Sequence, residues 1–269
     1  MKRVLSKVTI SMLCVFGLVL AFTLSIDNVS AKEWKEVRIG TEGAYPPFNF
    51  TTPEGELAGF DVDIAKALCK AMNVKCVLVK QDWDGIIPAL LAKKYDAVIA
   101  SMSITDERKK SVAFAGKYYQ TPAKFITKKG AIKEFSKETI KGKIVGVQRA
   151  TIHDSYLTDN YGKDVEIKRY GSQDEAYLDL TAGRVDLLLA DSVALDDGFL
   201  KKPEGKDYEF VGPDLTDKKW FGDGAGIAIR KEDKDLVDMF NKAIKAIRAD
   251  GTYKQIQDKY FKFDVFGKE

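Results

Sequence analysis

Short β-branched runs alternate with amphipathic stretches along almost the whole of this chain, and that alternation restricts it to an α/β architecture. Val37 to Gly40 reads as a strand, and Phe60, Ile64 and Leu68, with Ala67 and Ala71, recur at helical spacing through Met72. Val74 to Val79 is a second strand. Trp83 to Ala92 is a second helix with Ile86, Ile87, Leu90 and Leu91 inward, and Tyr95 to Ala100 is a third strand. Thr105 is placed to cap a short helix that begins with Asp106 and Glu107. A second unit of the same kind follows: strand 143–147, helix 152–160, strand 165–169, helix 173–183, strand 185–190 and helix 192–200. After a glycine-rich turn at 221–226, a strand at 227–230 leads into helices at 234–248 and 253–261. The extended stretches 117–128 and 210–222 lie between the two units and are the expected hinge.

The first 31 residues stand outside this pattern. Lys2, Arg3 and Lys7 form a positive start, Val8 to Leu24 is mostly apolar, and Val29-Ser30-Ala31 supplies small residues of the kind a signal peptidase reads. The apolar run sits at the short limit for a spanning helix, so a cleaved export signal is expected rather than an anchor. Cys14 lacks the small residues that precede a lipid-modified cysteine. Without Lys2, Arg3, Lys7 and Asp27 the formal charge falls from +3 to +1, which gives no case for nucleic acid or an anionic membrane as partner. Export places Cys69 and Cys76 in an oxidising compartment, and a disulfide between them is expected. A metal site is the rival reading, but two cysteines and the distant His153 do not make a ligand set. No GxGxxG follows the first strand and no GxxxxGK[ST] occurs, so FGDGAGIAI reads as a turn between lobes rather than a phosphate cradle.

In open α/β sheets ligands bind beyond the carboxyl ends of the strands. Those ends carry Thr41-Glu42 with Tyr45, Ala100-Ser101-Met102-Ser103 followed by Arg108, Thr151 with His153, and Asp191. Together these residue types complement an α-amino acid. A guanidinium at Arg108 can grip a carboxylate, amides at the helix start after Thr151 favour the same anion, and Asp191 with Ser103 can accept an ammonium. Glu42 is left over and wants a second cation, the ligand's own side chain. Taken singly each has a plainer reading: Arg108 as a surface ion pair with Asp106 and Glu107, Asp191 as a helix cap, Trp83 and Tyr45 as core, His153 as a surface residue at a helix start.

The stretches GTEGAYPPFNF (40–50), GFDVDIAKALC (59–69), WDGIIPALLAKKYDAVIASMSITDERK (83–109), GKIVGVQRATIHDSY (142–156), DLTAGRVDLLLAD (179–191), FGDGAGIAIRK (221–231) and DGTYKQIQDKYF (250–261) resemble the type II periplasmic solute-binding proteins for polar amino acids, the capture subunits of ABC importers. The resemblance implies a two-lobed type II fold, each lobe a central sheet flanked by helices, joined by a two-strand hinge. Lobe one would span 32–120 and 221–269, and lobe two 121–220. It implies a carboxylate site at Arg108, Ser101 and Thr151, an ammonium site at Ser103 and Asp191, Glu42 as side-chain selector, and Tyr45 and Trp83 as aromatic walls. It also implies the Cys69–Cys76 disulfide.

Within the family, TEGAYPPF and the Thr151-Ile152-His153 turn resemble the arginine-specific branch, with lysine, ornithine and histidine as further candidates. Two departures bear on this: Ala100 stands where basic-residue binders often have serine, and Arg149-Ala150 replaces a more usual polar residue and glycine. An arginine pointing into the mouth would repel a cationic ligand. The resemblance further implies a monomer in the periplasm, no enzyme activity, no cofactor and a membrane permease as partner. The alternatives are a dehydratase-like enzyme on the same scaffold, a binder of neutral or opine-like amino acids, and a binding domain that signals through a separate partner.

Overall fold

The computed structural model describes residues 33–267. The expected export signal, Cys14 included, lies outside the described residues. Two five-stranded sheets organise the rest. The first runs in the order Lys75–Lys80, Glu36–Thr41, Ala97–Val98, Ala225–Ile229, Ala113–Tyr119. Its first three strands are parallel, and Ala225–Ile229 is antiparallel to both neighbours. Alternation sends Ala97 and Ile99 to one face, under helices Phe60–Ala71 and Lys234–Ala249, and Val98 and Ala100 to the other, under helix Ile86–Leu91. Both faces are covered, which is why these strands read as continuous apolar runs rather than alternating ones.

The second sheet has the order Glu166–Tyr170, Ile144–Gln148, Leu187–Asp191, Ala123–Lys128, Tyr208–Leu215, with the first three strands parallel and the last two antiparallel to their neighbours. Leu187 and Leu189 join one core with Val145, Val147 and Phe125; Leu188 and Ala190 join another with Ile126, Tyr177 and Phe199. The chain passes between the sheets twice, at residues 120–122 and again at 216–224, where the short helix Lys218–Phe221 intervenes. Both crossings overlap the stretches expected to form the hinge.

Several elements are shorter than their apolar patterns suggested. The helix expected over Trp83–Ala92 starts as a tight 3-10 turn, Trp83–Gly85, before becoming helix Ile86–Leu91. The strand expected over Tyr95–Ala100 is reduced to Ala97–Val98. Asp96 there accepts from Arg38 Nε at 3.0 Å and from the buried Arg230 at 3.2 Å, so its carboxylate joins three strands from the side. A small sheet of Ala44–Tyr45, Asn49–Thr51 and Leu57–Ala58 was not foreseen, because two- and three-residue strands carry no readable period.

The expected disulfide is not formed in this structure. Cys69, buried on helix Phe60–Ala71, and Cys76, on strand Lys75–Lys80, are free thiols. They interact directly, and that contact together with burial pushes the Cys69 thiol up.

Candidate functional site

Four strand ends converge on one cleft between the sheets. From the first lobe come Glu42, directly after strand Glu36–Thr41, and the turn 99–105 after Ala97–Val98; from the second come Thr151, after Ile144–Gln148, and Asp191, closing Leu187–Asp191. The cleft holds two adjoining cavities that share Tyr45, Ser101, Ser103, Ile152 and His153. The larger, about 280 Å³, reaches Asp191, Thr121 and Phe221. The smaller reaches Glu42, Trp83, Arg108 and Gln148.

Arg108 lies in helix Asp106–Lys109, whose cap, Thr105, accepts from the Arg108 amide at 3.3 Å. Its guanidinium donates to the Ser103 carbonyl at 3.0 Å and stands 5.2 Å from the Trp83 ring. Burial lowers its pKa to about 10. Among the described residues no carboxylate lies within ion-pair distance of it: Asp106 and Glu107 pair instead with Lys109 and Lys110. A half-buried cation with only a carbonyl and a ring for company is a poor structural element and a good anion receptor.

The opposite charge is equally unmatched. Glu42 is 4% exposed, and its Oε1 accepts from Gln148 Nε2 of the other lobe at 2.6 Å. Burial raises its pKa to about 7, and the negative charges of Asp174, Asp82 and Asp84 add to the effect. Asp191 is buried as well and raised to about 6 by that burial. Its Oδ1 caps helix Ser192–Leu195 through the Val193 and Ala194 amides at 2.8 and 3.2 Å, while Oδ2 accepts from the Thr121 hydroxyl. The plain cap reading of Asp191 therefore holds together with a place on the cavity wall. No Lys or Arg lies within ion-pair distance of either carboxylate among the described residues.

Thr151 caps helix Ile152–Tyr161, accepting from the Asp154 amide at 3.1 Å and donating to the Gln148 carbonyl at 2.7 Å. Its hydroxyl is thus occupied, and the helix start it creates borders the cavity with Ile152 and His153. His153 is half-buried at the cleft, where burial and the charge of Arg108 depress its pKa to about 3, so its ring is neutral. Tyr45 accepts from the Asp191 amide at 3.3 Å, and Trp83 Nε1 donates to the Ala150 carbonyl at 3.1 Å, both across the cleft. No group of three metal-ligating side chains comes together among the described residues.

Residues 37–263 match the model of the bacterial extracellular solute-binding proteins, family 3. The chain belongs to that family. An L-arginine-binding protein of Pseudomonas aeruginosa is 55% identical to this solute-binding protein over 256 residues, covering 95% of this chain and 98% of the relative. The lysine/arginine/ornithine-binding periplasmic protein of Escherichia coli is 45% identical over 232 residues, 86% of this chain and 89% of its own. Among solved structures, a Salmonella typhimurium periplasmic binding protein described for its high arginine specificity superposes with a TM-score of 0.79 at 34% identity, covering 84% of this chain and 99% of that one. The fold of this solute-binding protein is accordingly the two-lobed type II architecture.

The solute-binding protein brings Glu42, Tyr45, Trp83, Ala100, Ser101, Ser103, Arg108, Thr151, His153 and Asp191 to the cleft. It does not bring Met102. That side chain is fully buried among Trp83, Leu90, Tyr95 and Val112, because alternation past Ser101 turns it into the lobe core, and only its carbonyl is used, by the Gly226 amide at 2.9 Å. Ser101 borders the cavity, but its hydroxyl donates to Asp61 at 2.9 Å instead of facing the cleft. Trp83 has its ring against Arg108, so part of its aromatic face is already covered. Gln148 and Thr121 were missed. Gln148 obeyed the strand-end rule and could have been found by it; Thr121 gave no signal beyond its place in the hinge.

Proposed function

We propose that this solute-binding protein captures a basic L-amino acid, L-arginine by preference, between its lobes in the periplasm and presents it to the permease of an ABC importer. One observation carries the ligand class: a half-buried guanidinium without a carboxylate and two buried carboxylates without a cation, among the described residues, line the same cleft. The missing partners of Arg108, Asp191 and Glu42 are an anion and two cations, which is the charge pattern of a basic amino acid. Its carboxylate is assigned to Arg108 and the helix start at Ile152, its ammonium to Asp191, and its side-chain cation to Glu42. The names of the relatives support the same reading and the preference for arginine. Closing the lobes removes water from these pairs and strengthens them. Micromolar affinity requires about 8 kcal/mol, within the reach of three such pairs.

The test is calorimetric titration of ligand-stripped protein with arginine, lysine, ornithine, histidine and citrulline. Tight arginine binding with weak citrulline binding is expected, since citrulline keeps the shape and loses the cation. Equal affinities would remove Glu42 from the selector role.

A further inference from the structure

Behind the cleft wall lies a fully buried carboxylate that the ligand assignment does not use. Asp61, in the first turn of helix Phe60–Ala71, is 0% exposed and borders neither cavity. Its Oδ2 accepts from Asn49 Nδ2 at 2.8 Å and from the Ser101 hydroxyl at 2.9 Å, and its Oδ1 accepts from the Tyr118 hydroxyl at 2.8 Å. Each donor extends the network. Asn49 Oδ1 accepts from the Gly43 amide, next to Glu42, at 2.8 Å. The Tyr118 oxygen accepts from the Ser101 amide at 3.0 Å. Tyr118 itself stands at the end of the strand that runs into the first hinge crossing, and its carbonyl accepts from Tyr253 at 2.7 Å.

A buried carboxylate held by three neutral donors is a costly way to fill a core, and an apolar side chain would pack there without that cost. What the carboxylate provides is geometry. Ser101 has a backbone φ of +55°, in the left-handed region that serine rarely occupies, and Asp61 and Tyr118 together hold its hydroxyl and its amide. Through Asn49 the same carboxylate fixes the turn that carries Glu42.

We infer that Asp61 is a positioning residue that sets the distance between the Glu42 turn and the Ser101–Ser103 turn, and so makes the cleft discriminate ligands by side-chain length. The inference rests on the basic-amino-acid reading above, in which Glu42 holds the side-chain end of the ligand and Arg108, anchored on the Ser103 carbonyl of the second turn, holds its carboxylate end. Fixed turns read length; loosened turns accept neighbouring lengths with similar affinity.

The experiment compares Asp61→Asn with wild type in titrations against L-arginine and its homologue shorter by one methylene. The substitution keeps the shape and replaces an acceptor with an NH2 facing converging donors. Arginine affinity is expected to fall tenfold or more, and the ratio of the two affinities to shrink by a similar factor. A purely structural role would lower the melting temperature and weaken both ligands equally, and an unchanged ratio overturns the inference. Ser101→Ala and Tyr118→Phe, each removing one donor, replace Asp61→Asn if that variant fails to fold: the ratio must shrink in both. Wild-type protein that binds neither compound would refute the ligand class itself, whereas wild type that discriminates beside variants that discriminate equally refutes only the role of Asp61.

Discussion

Arg149 of the second lobe donates through Nε to Asp84 of the first, bridging the cleft at its mouth. An arginine here was expected to repel a cationic ligand if it pointed inward; the structure turns it outward and neutralises it. Both side chains are substantially exposed, 51% and 37%, so the pair contributes only about 0.2–1 kcal/mol. It acts on closure, because the bond can form only when the lobes meet. Arg149→Ala and Asp84→Ala should each weaken arginine binding by less than about fivefold, mostly through faster release, with the double variant no worse than either alone. Stopped-flow release rates at low and high salt check this; an effect insensitive to salt would contradict an exposed ion pair.

Removing Arg108 should be far more severe. Its half-buried guanidinium is an unmatched cation of the cleft among the described residues, and once lobe closure buries it with the ligand carboxylate, truncating one partner of such a pair costs about 2–5 kcal/mol. Arg108→Ala is therefore expected to weaken every amino acid by at least about thirtyfold, whatever its side chain. Titration with arginine and with citrulline checks this, since a loss confined to arginine would move the carboxylate site elsewhere.

Glu42 carries the pH dependence. Burial between the lobes raises its pKa to about 7 in this structure, and a cation beside it lowers it, so binding releases a proton. Acid must then oppose binding. Affinity for arginine is expected to fall as pH drops below 7, approaching about tenfold per unit for one proton released, with Asp191 adding to the loss below about 6. Glu42→Gln should weaken arginine by about a hundredfold, leave citrulline nearly unchanged, and flatten the profile between pH 6 and 8. Titrations in buffers of different ionisation enthalpy measure the released proton directly.

The architecture was legible because burial on both sheet faces leaves continuous apolar runs, such as Leu187–Leu189, and amphipathic spacing marks the helices between them. The site was legible through one rule, that strand ends in such sheets face the ligand, and this rule placed Glu42, Ser103, Thr151 and Asp191 without further information. It failed where side-chain direction matters. Met102 sits between two serines that border the cleft yet points into the core, and the Ser101 hydroxyl is turned away by a left-handed backbone no sequence pattern announces. Asp61 carried no signal in the sequence, because only the fold brings Asn49, Ser101 and Tyr118 around it.

Ala150 gives a stability prediction independent of the ligand. It has a φ of +58°, where glycine is favoured, and its Cβ makes that conformation cost about 1–2 kcal/mol. Replacement by glycine relieves the strain but adds freedom to the unfolded chain, a penalty of about 0.5–1 kcal/mol. Ala150→Gly should thus stabilise the ligand-free protein by about 0.5–1 kcal/mol, read from its denaturation midpoint in urea.

The neighbouring thiols of Cys69 and Cys76 give the last prediction. They lie where helix Phe60–Ala71 meets strand Lys75–Lys80 across a short loop, free in this structure, and oxidation is expected to link them as a disulfide. Closing that loop stabilises by about 2–3 kcal/mol in the chain-entropy account, less any strain the bond introduces. The cysteines pack on the helix side of the first sheet, while Glu42 and Arg108 border the cleft at its strand ends. Reduction should therefore lower the denaturation midpoint and leave arginine affinity within about twofold. Intact mass with and without reductant reports the bond, and paired titrations report the affinity; a large loss of binding on reduction would show that the helix–strand junction shapes the cleft after all.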